Sequence, residues 1–285
     1  MSGLFVQASE VTSMNAIEIK DLSYSYESGL PALKEINLSI KQGELVALVG
    51  QNGAGKTTMV KHLIGLIKAN KDKISIFGQD VFGQRVSELA KRVGFVFQNP
   101  DHQIFHDTVE KEVAFGLINM GLPKAEISER VEKALHSVGL ESQAGDYPQS
   151  LSRGQRQRVA LASVLAMQTE IIILDEPTTG QDYHERLQIM ELVNKLNQEG
   201  HTVVFITHDM ALVANYAERV IVLCQGRIIL DGPVREVLSQ QAKLAQTLLE
   251  PPQITMLGSR LAPSSEVILT VDEMYTYLQK VQEGD

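Results

Sequence analysis

The sequence is poor in three features: cysteine, long apolar segments and positive charge. Cys224 is the only cysteine in 285 residues, which excludes an internal disulfide and fits a reducing compartment. No apolar run approaches the roughly 18 residues that a transmembrane helix needs. Lys and Arg number 26 against 35 Asp and Glu, a net charge of −9, opposite in sign to that of nucleic-acid-binding domains. With 44% hydrophobic and 21% charged residues, the composition predicts a soluble, cytosolic globular protein.

The order of strand-like and helical patterns predicts three regions along the chain. Residues 1–13 are polar, without the charged and apolar parts of a signal peptide, and we expect a flexible leader there. Residues 14–238 alternate short apolar strands with helical segments, which predicts a parallel β-sheet with helices on both faces. Inside this region, residues of about 99–165 show only helical patterns, so an inserted helical subdomain is expected. Residues 239–285 are helical and loop-rich and are predicted to form a small C-terminal appendage.

A glycine-rich segment between a predicted strand and a predicted helix carries the first chemical signal. The strand Leu45–Val49 leads into the pattern GxxxxGK[ST], and the helix begins at Lys56. The backbone of such a loop wraps a polyphosphate, its lysine reaches the β- and γ-phosphates, and its hydroxyl binds Mg²⁺. The alternative, a glycine turn with a surface lysine, does not account for the flanking strand and helix. The predicted ATP contacts are Gly50, Gln51, Asn52, Gly53, Ala54, Gly55, Lys56, Thr57 and Thr58, with Thr57 also a metal ligand.

Two adjacent carboxylates follow another apolar strand. Asp175 and Glu176 come directly after Ile171–Leu174, at the edge where open α/β sheets bind ligands. Asp175 is predicted to hold Mg²⁺, directly or through water, and Glu176 to orient and deprotonate the attacking water. Alone, such a pair is more often a helix cap or a solvated turn. The glycine-rich loop upstream favours the catalytic interpretation.

The segment Leu151–Gln155 has a structural and a ligand-binding interpretation. Ser152 and Gln155 fit a capping box at the start of a helix, which accounts for both residues without a ligand. Gly154 stands in the first turn, where a good helix former would serve, and this indicates close approach of the backbone to a ligand. The two interpretations are compatible because a capped helix N-terminus can still bind an anion.

Taken in order, these segments resemble the ATP-binding subunits of ABC transporters. The resemblance covers residues 17 to about 238 and implies an α/β fold: a P-loop NTPase (RecA-like) core with an antiparallel β subdomain, the inserted helical subdomain and the α-rich appendage. Tyr26 corresponds to the aromatic residue that stacks on adenine, and Gln98 to the glutamine that contacts Mg²⁺ and links the sheet to the helical subdomain. Asp182 matches the aspartate of a loop that spans the dimer interface. His208 matches the histidine that contacts the γ-phosphate.

The resemblance also implies a dimer. In that family the segment matched by Ser152, Gly154 and Gln155 serves the γ-phosphate of the opposite subunit, so two subunits, identical or paralogous, close around two ATP molecules. Three departures from the usual pattern stand out. Arg153 replaces the first glycine of the common LSGGQ sequence, residues 179–182 read Thr-Gly-Gln-Asp, and Asn70–Lys73 occupies a frequent glycine turn.

A second, narrower resemblance concerns the segment Phe97–Phe105. It is similar to the glutamine-loop segment of energy-coupling-factor (ECF) and cobalt-type importer ATPases, in which a short helix docks the cytoplasmic helices of the membrane component. This implies docking near Asn99, Asp101 and Phe105, with Asp101 facing arginines of the partner. The alternative is a generic capped helix start after Pro100.

The predicted function is ATP hydrolysis by a peripheral subunit at the cytoplasmic face of the cell membrane. It would energise an importer of the vitamin or transition-metal class, with ATP and Mg²⁺ as ligands. Its implied partners are a second ATPase subunit, an integral membrane component and a substrate-binding membrane component, but no nucleic acid. The alternatives are another ABC importer or exporter class, a cytosolic ABC protein of DNA repair or translation, and a P-loop kinase. A kinase would require neither the Leu151–Gln155 segment nor His208.

Overall fold

The computed structural model describes residues 14–262 and 266–283; the predicted leader lies outside them. The strands are β1 (Asn15–Ser25), β2 (Pro31–Lys41), β3 (Leu45–Val49), β4 (Ile74–Ile76), β5 (Gln79–Asp80), β6 (Val93–Val96), β7 (Ile171–Asp175), β8 (Thr202–Ile206), β9 (Arg219–Cys224) and β10 (Arg227–Pro233). The helices are α1 (Lys56–Leu63), α2 (Val86–Leu89), α3 (Val109–Asn119), α4 (Lys124–Ser137), α5 (Arg153–Ala166), α6 (Tyr183–Gln198), α7 (Met210–Tyr216), α8 (Val234–Ser239), α9 (Gln241–Ala245), α10 (Gln253–Leu261) and α11 (Val271–Glu283).

A mainly parallel sheet forms the centre, with strand order β10-β9-β3-β8-β7-β6. Only β10 is antiparallel to its neighbour in this sheet, and it joins β9 through a tight turn at Gln225 and Gly226, both with positive φ. All residues of β3 and β8 are buried, as expected for strands covered on both faces. Along β3, Leu45, Ala47 and Val49 enter one hydrophobic cluster while Val46 and Leu48 enter another. The sheet therefore separates two cores, and the predicted α/β class is confirmed.

The first core lies beneath α5, α6 and α7, and the second beneath α1 and a smaller antiparallel sheet. The smaller sheet has the order β2-β1-β4-β5. Leu244, Leu249 and Leu269, all beyond residue 238, belong to the first core. The C-terminal segment thus packs on the parallel sheet through a shared core.

The chain between β6 and β7 is helical. Residues 99–165, all of them described, form α3, α4, most of α5 and short 3₁₀ turns at Pro100–His102, Glu141–Gln143 and Pro148–Ser150. Val113, Leu117, Val131 and Val159 belong to a third hydrophobic cluster that joins α3, α4 and α5. The same helix α5 also packs on the parallel sheet, so it connects the helical part to the central core.

The Asn70–Lys73 segment has a structural explanation. Asp72 adopts the left-handed conformation with φ 61, a conformation that Asp and Asn tolerate better than most residues. The Lys73 ammonium lies 2.9 Å from the Asp21 carboxylate, and β4 begins at the next residue. This segment therefore makes the turn into the antiparallel sheet without a glycine.

No helix among residues 14–262 and 266–283 combines the length and the apolar character needed to cross a bilayer.

Candidate active site

A cavity of about 1190 Å³ opens at the carboxyl edge of the parallel sheet, where β3, β7 and β8 end. Most of the predicted site residues line it together. These are Tyr26, Gly50, Gln51, Asn52, Gly53, Gly55, Lys56, Thr57, Thr58, Gln98, Asp175, Glu176 and His208. Ala54 does not line it: the side chain is buried behind the loop, and its carbonyl accepts a hydrogen bond from the Gly226 amide at 2.9 Å.

The loop from β3 to α1 requires glycine at two positions. Gly50 has φ 152, and a Cβ there would lie 2.4 Å from the Leu223 carbonyl oxygen. Gly55 has φ 110, and a Cβ there would lie 2.6 Å from the Ala32 carbonyl oxygen. Because both obstacles are backbone atoms, a side chain at either position would displace the loop. The tight loop delivers the chain to the N-terminus of α1, where unpaired amides favour anions.

Lys56 lies inside this loop. Its ammonium donates hydrogen bonds to the Gly50 carbonyl at 2.6 Å and the Gln51 carbonyl at 3.0 Å. Burial lowers the pKa of Lys56, and the nearby carboxylates Glu176 and Asp175 oppose that effect. A cation is thus held at the base of the cavity between loop carbonyls and acidic residues.

Three side chains from different segments hold the Glu176 carboxylate. Gln98 donates to one oxygen from its amide nitrogen at 2.9 Å, and the Thr179 hydroxyl donates to the same oxygen at 2.9 Å. The His208 Nδ1 lies 3.2 Å from the other oxygen. Glu176 itself has φ 45, a sparsely populated backbone conformation of the kind that clusters at functional sites. In the sequence, Thr179 stands out only as part of a departure from the usual loop.

Asp175 is partly buried beside Glu176. Burial raises the pKa of Asp175, the Glu176 charge raises it further, and Lys56 opposes both effects. Thr57 and Gln98 bring a hydroxyl and an amide oxygen to the same cavity. Hard oxygen donors next to two mutually repelling carboxylates fit Mg²⁺, which binds proteins through one or two carboxylates and keeps several other oxygen ligands.

Tyr26, which also lines the cavity, is held in place by polar and aromatic contacts. The Tyr26 and Thr58 hydroxyls share a hydrogen bond of 3.0 Å. The Tyr26 ring packs edge-on against Tyr24, with centroids 5.1 Å apart. Leu30 and Leu248 line the cavity as well. Leu248 belongs to the C-terminal appendage, and nothing in the sequence pattern placed that region beside the glycine-rich loop.

Ser152, Gly154, Gln155 and Asp182 lie outside the cavity. Ser152 begins α5 with the expected capping box: its hydroxyl accepts from the Gln155 amide at 3.2 Å, and the Gln155 side chain accepts from the Ser152 amide at 2.9 Å. Asp182 caps α6 by accepting from the Glu185 amide at 2.8 Å. The structure does not bring these four residues to the cavity of their own subunit.

Gly154 lies close to a side chain of α6. A Cβ at this position would lie 2.4 Å from a carboxylate oxygen of Glu185. Because that oxygen is the far end of a flexible side chain, the contact does not by itself require a glycine, and the approach of Gly154 to a ligand stays a prediction. The guanidinium of Arg153 lies similarly close to Gly180, because a Cβ on Gly180 would lie 2.6 Å from it.

The segment that follows Gln98 is attached to α5. Gln157 donates to the Phe97 carbonyl at 3.4 Å, and Gln103 donates to the Ala160 carbonyl at 3.2 Å. Asp101 forms an ion pair of 2.8 Å with Arg156. The contact of Asp101 with arginines of a partner stays a prediction, and within this subunit the carboxylate pairs with a residue of α5.

A second, apolar cavity of about 510 Å³ lies beside this segment. Phe97, Phe105 and Phe115 line it, and Phe105 is 64% exposed although its ring packs edge-on against Phe115 at 4.8 Å. The backbone amide of Phe105 donates to the buried Glu112 carboxylate at 3.0 Å. The backbone of Phe105 is thus anchored, while most of its side chain is exposed to solvent. We refer to this cavity as the phenylalanine groove.

Comparison with known proteins decides the family. The sequence model of the ABC transporter family matches residues 33–179. The chain belongs to that family. It is 41% identical over 274 residues to the energy-coupling factor transporter ATP-binding protein EcfA of Methanothermobacter thermautotrophicus, covering 94% of this chain and 88% of that protein. The predicted family, with its ECF subgroup, is confirmed.

Solved structures of ABC cassettes have the same fold. CbiO1 of Clostridium perfringens, part of the ABC transporter complex CbiONQ, gives a TM-score of 0.75 at 36% identity, covering 88% of this chain and all of that one. The dimeric ATP-binding cassette MJ0796, bound to ADP and phosphate, gives 0.70 at 34% identity, covering 77% and 99%. The chain also matches ABC transporter ATP-binding proteins of Caldanaerobacter subterraneus and two Methanosarcina species, and it spans only 43–46% of their length.

Proposed function

We propose that this chain is the ATP-hydrolysing subunit of an ECF-type importer, peripheral to the cytoplasmic face of the membrane. The observation that carries the proposal is the Glu176 carboxylate, held by Gln98, Thr179 and His208 in one cavity with Lys56. A carboxylate fixed in this way beside a polyphosphate loop is suited to orient water for attack on a terminal phosphate. The similarity to EcfA and CbiO1 supports the importer class.

ATP binding begins with the loop between β3 and α1. The N-terminus of α1 and the loop amides attract the triphosphate. Lys56 exchanges its bonds to the Gly50 and Gln51 carbonyls for the β- and γ-phosphates. That exchange replaces neutral acceptors with charged ones, which makes the new hydrogen bonds stronger. Tyr26, which lines the same cavity, packs on the adenine.

Mg²⁺ would be held by Thr57, Gln98 and Asp175, the last directly or through water. Bound there, it would neutralise phosphate charge that develops during phosphoryl transfer. Glu176 accepts the proton of the attacking water, while Gln98 and Thr179 keep its carboxylate in place. His208, of whose side chain 67% is exposed, contacts the γ-phosphate.

A second subunit completes each site. Ser152, Gly154 and Gln155 stand at the start of α5, away from the cavity of their own chain, so they are free to face the γ-phosphate of a partner. Asp182 lies next to them, because its helix contacts Gly154 through Glu185. The dimeric structure of a related cassette supports this arrangement.

The phenylalanine groove is the docking site for the membrane component, which contacts the chain near Asn99, Asp101 and Phe105. The segment that lines the groove begins at Gln98, whose amide holds Glu176. Movement of Gln98 on nucleotide binding therefore reaches the groove directly. Arginines of the partner would compete with Arg156 for the Asp101 carboxylate, so docking would exchange one ion pair for another.

Replacement of Glu176 by Gln tests the ATPase assignment. Because the amide cannot accept a proton, we expect steady-state hydrolysis to fall about 100-fold or more, while the equilibrium affinity for ATP stays within about twofold. Glu170→Gln is the matched control, since Glu170 is an exposed carboxylate beside the opposite end of β7. Wild-type hydrolysis by Glu176→Gln would refute the assignment.

Replacement of Phe105 by Ala tests the docking site. We expect co-purification with a co-expressed ECF membrane component to weaken about fivefold or more, the effect of losing one aromatic anchor worth about 1 kcal/mol. ATP affinity should not change. Tyr147→Ala provides the control, since Tyr147 is an equally exposed aromatic residue on the helical part of the chain and outside the groove. Equal recovery of both variants would contradict the docking site.

A further inference from the structure

The residues that line the cavity of the proposed ATP site divide by chemistry into two parts. One part is charged and polar and includes Lys56, Asp175 and Glu176. The other part is largely apolar and consists of Tyr26, Leu30, Pro31, Ala32, Leu248 and Leu249. This division matches the division within ATP, which has a highly charged triphosphate and a flat, weakly polar base.

Leu248 is the most unusual member of the apolar part. Of its surface 81% is exposed, and its backbone has φ 50, in the left-handed region that leucine rarely adopts. An exposed leucine gains nothing from burial, and the backbone conformation costs free energy. Non-glycine residues are held in this way at ligand clamps and active sites, where the surrounding structure determines them.

Buried neighbours hold Leu248 in this position. Thr247 is fully buried, and its hydroxyl donates to the Leu244 carbonyl at 2.7 Å. The same hydroxyl accepts from the Leu249 amide at 3.3 Å, so it bridges the turn on both sides of Leu248. Leu244 and Leu249 are themselves part of the hydrophobic core beneath the sheet. The turn is therefore anchored by the fold, and Leu248 is the residue that it presents to the cavity.

The anchor also ties this turn to the glycine-rich loop. Leu223, at the end of β9, places its carbonyl where a side chain on Gly50 would be. The next residue, Cys224, directs its thiol toward the Gln246 carbonyl at 3.9 Å. The end of one strand thus lies against both the phosphate loop and the turn that carries Leu248, so the loop and the turn share a neighbour.

From these observations we infer that Leu248 is a nucleotide-binding residue. Its side chain packs against the base of ATP bound beside Tyr26. Burial of the Leu248 side chain against the base compensates for its exposure in the free protein and for the strained backbone of the turn. The C-terminal appendage therefore forms part of the ATP site. This inference rests on the proposed function and adds a base contact that the glycine-rich loop does not supply.

The base contact predicts that Leu248 acts on ATP and not on phosphate alone. Isothermal titration calorimetry in the Glu176→Gln background, which prevents turnover, would measure the affinity for ATP and for inorganic tripolyphosphate. We expect Leu248→Ala to weaken ATP binding about three- to tenfold, since it removes partial burial of a leucine side chain, and to leave tripolyphosphate binding unchanged. Leu257→Ala is the matched control, an exposed leucine on α10 of the same appendage that does not line the cavity.

A second variant separates the contact from the fold. Leu248→Gly also removes the side chain but relieves the left-handed strain, so we expect its melting temperature to equal or exceed that of Leu248→Ala while its ATP affinity is equally weak. Wild-type ATP affinity of both variants would overturn the inference. Equal loss for ATP and tripolyphosphate would overturn it too, because it would indicate a displaced phosphate loop. Lys56→Ala, titrated in parallel, must lose both ligands; if it does not, the proposed ATP site itself is wrong.

Discussion

Replacement of Ser152 separates the two roles assigned to the start of α5. The serine caps its own helix through the Gln155 amide, and in the proposed dimer it faces the γ-phosphate bound by the partner. Two substitutions divide these roles. Ser152→Ala removes the cap, whereas Ser152→Asp keeps it, because aspartate is as good an N-cap as serine and its charge suits a helix N-terminus.

The expected effects on stability follow from the capping box. Loss of the serine cap costs about 1 kcal/mol, and in a chain of this size 1 kcal/mol lowers the melting temperature by about 2–4 °C. Ser152→Ala should show that decrease in a thermal melt of the nucleotide-free protein. Ser152→Asp should melt within about 1 °C of the wild type.

The expected effects on dimerisation have the opposite order. Two unit charges about 4 Å apart repel by about 4 kcal/mol near a protein surface, and even half of that in salt would weaken association more than about 30-fold. Ser152→Asp should therefore fail to form an ATP-dependent dimer, measured by light scattering after gel filtration in the Glu176→Gln background. Ser152→Ala should retain part of it. A Ser152→Asp variant that dimerises normally would refute the shared-site arrangement, and an unchanged melt of Ser152→Ala would refute the stabilising role of the cap.

The remaining predictions concern the cavity itself. Lys56→Ala should weaken ATP binding about 10- to 100-fold by calorimetry, the effect of losing a charged hydrogen-bond donor worth about 1.5–3 kcal/mol; unchanged affinity would contradict its role. Asp175→Asn should raise the melting temperature of the nucleotide-free protein at pH 7, because burial and Glu176 hold the pKa of Asp175 above its ordinary value of 3.8 in the folded state. Because the folded state then binds the Asp175 proton more tightly than the unfolded state, the fold loses stability as the pH rises through the raised pKa. The gain in melting temperature from Asp175→Asn should therefore vanish below about pH 4, and a gain independent of pH would count against the explanation. Gly55→Ala should destabilise the protein by about 1–3 kcal/mol in urea unfolding, since its Cβ would lie 2.6 Å from the Ala32 carbonyl oxygen; an unchanged unfolding midpoint would show that the loop adjusts.

The sequence predicted those parts of the site that a local pattern dictates. The strand, glycine-rich loop and helix around Lys56 follow one another within a few residues, so their geometry is set by neighbours in the chain. Asp175 and Glu176 could be located in the same way, because parallel strands end at the same edge of the sheet and residues that follow such a strand lie at that edge. The capping box at Ser152 was also readable, because all its atoms lie within one helical turn.

Contacts between distant segments were not predictable in the same way. Leu248 reaches the cavity only because Leu244 and Leu249 pack in the central core. The ion pair of Asp101 with Arg156 is of the same kind, because the two residues are 55 positions apart in the chain and 2.8 Å apart in the structure. Local periodicity carries no information on such pairs.

Arg153, one departure from the family pattern, lies against the loop of residues 179–182, which carries another. Arg153 replaces a glycine at the start of α5, and its guanidinium lies where a side chain on Gly180 would be. Gly180 has φ 75, so the loop before α6 needs a glycine for its backbone conformation and thereby leaves room for the arginine. A side chain at position 180 would be strained by this backbone conformation, whereas the far end of the arginine is flexible and could move aside. Both positions flank the surfaces proposed for the dimer, so Arg153 and Gly180 join the start of α5 to the loop before Asp182 within one subunit.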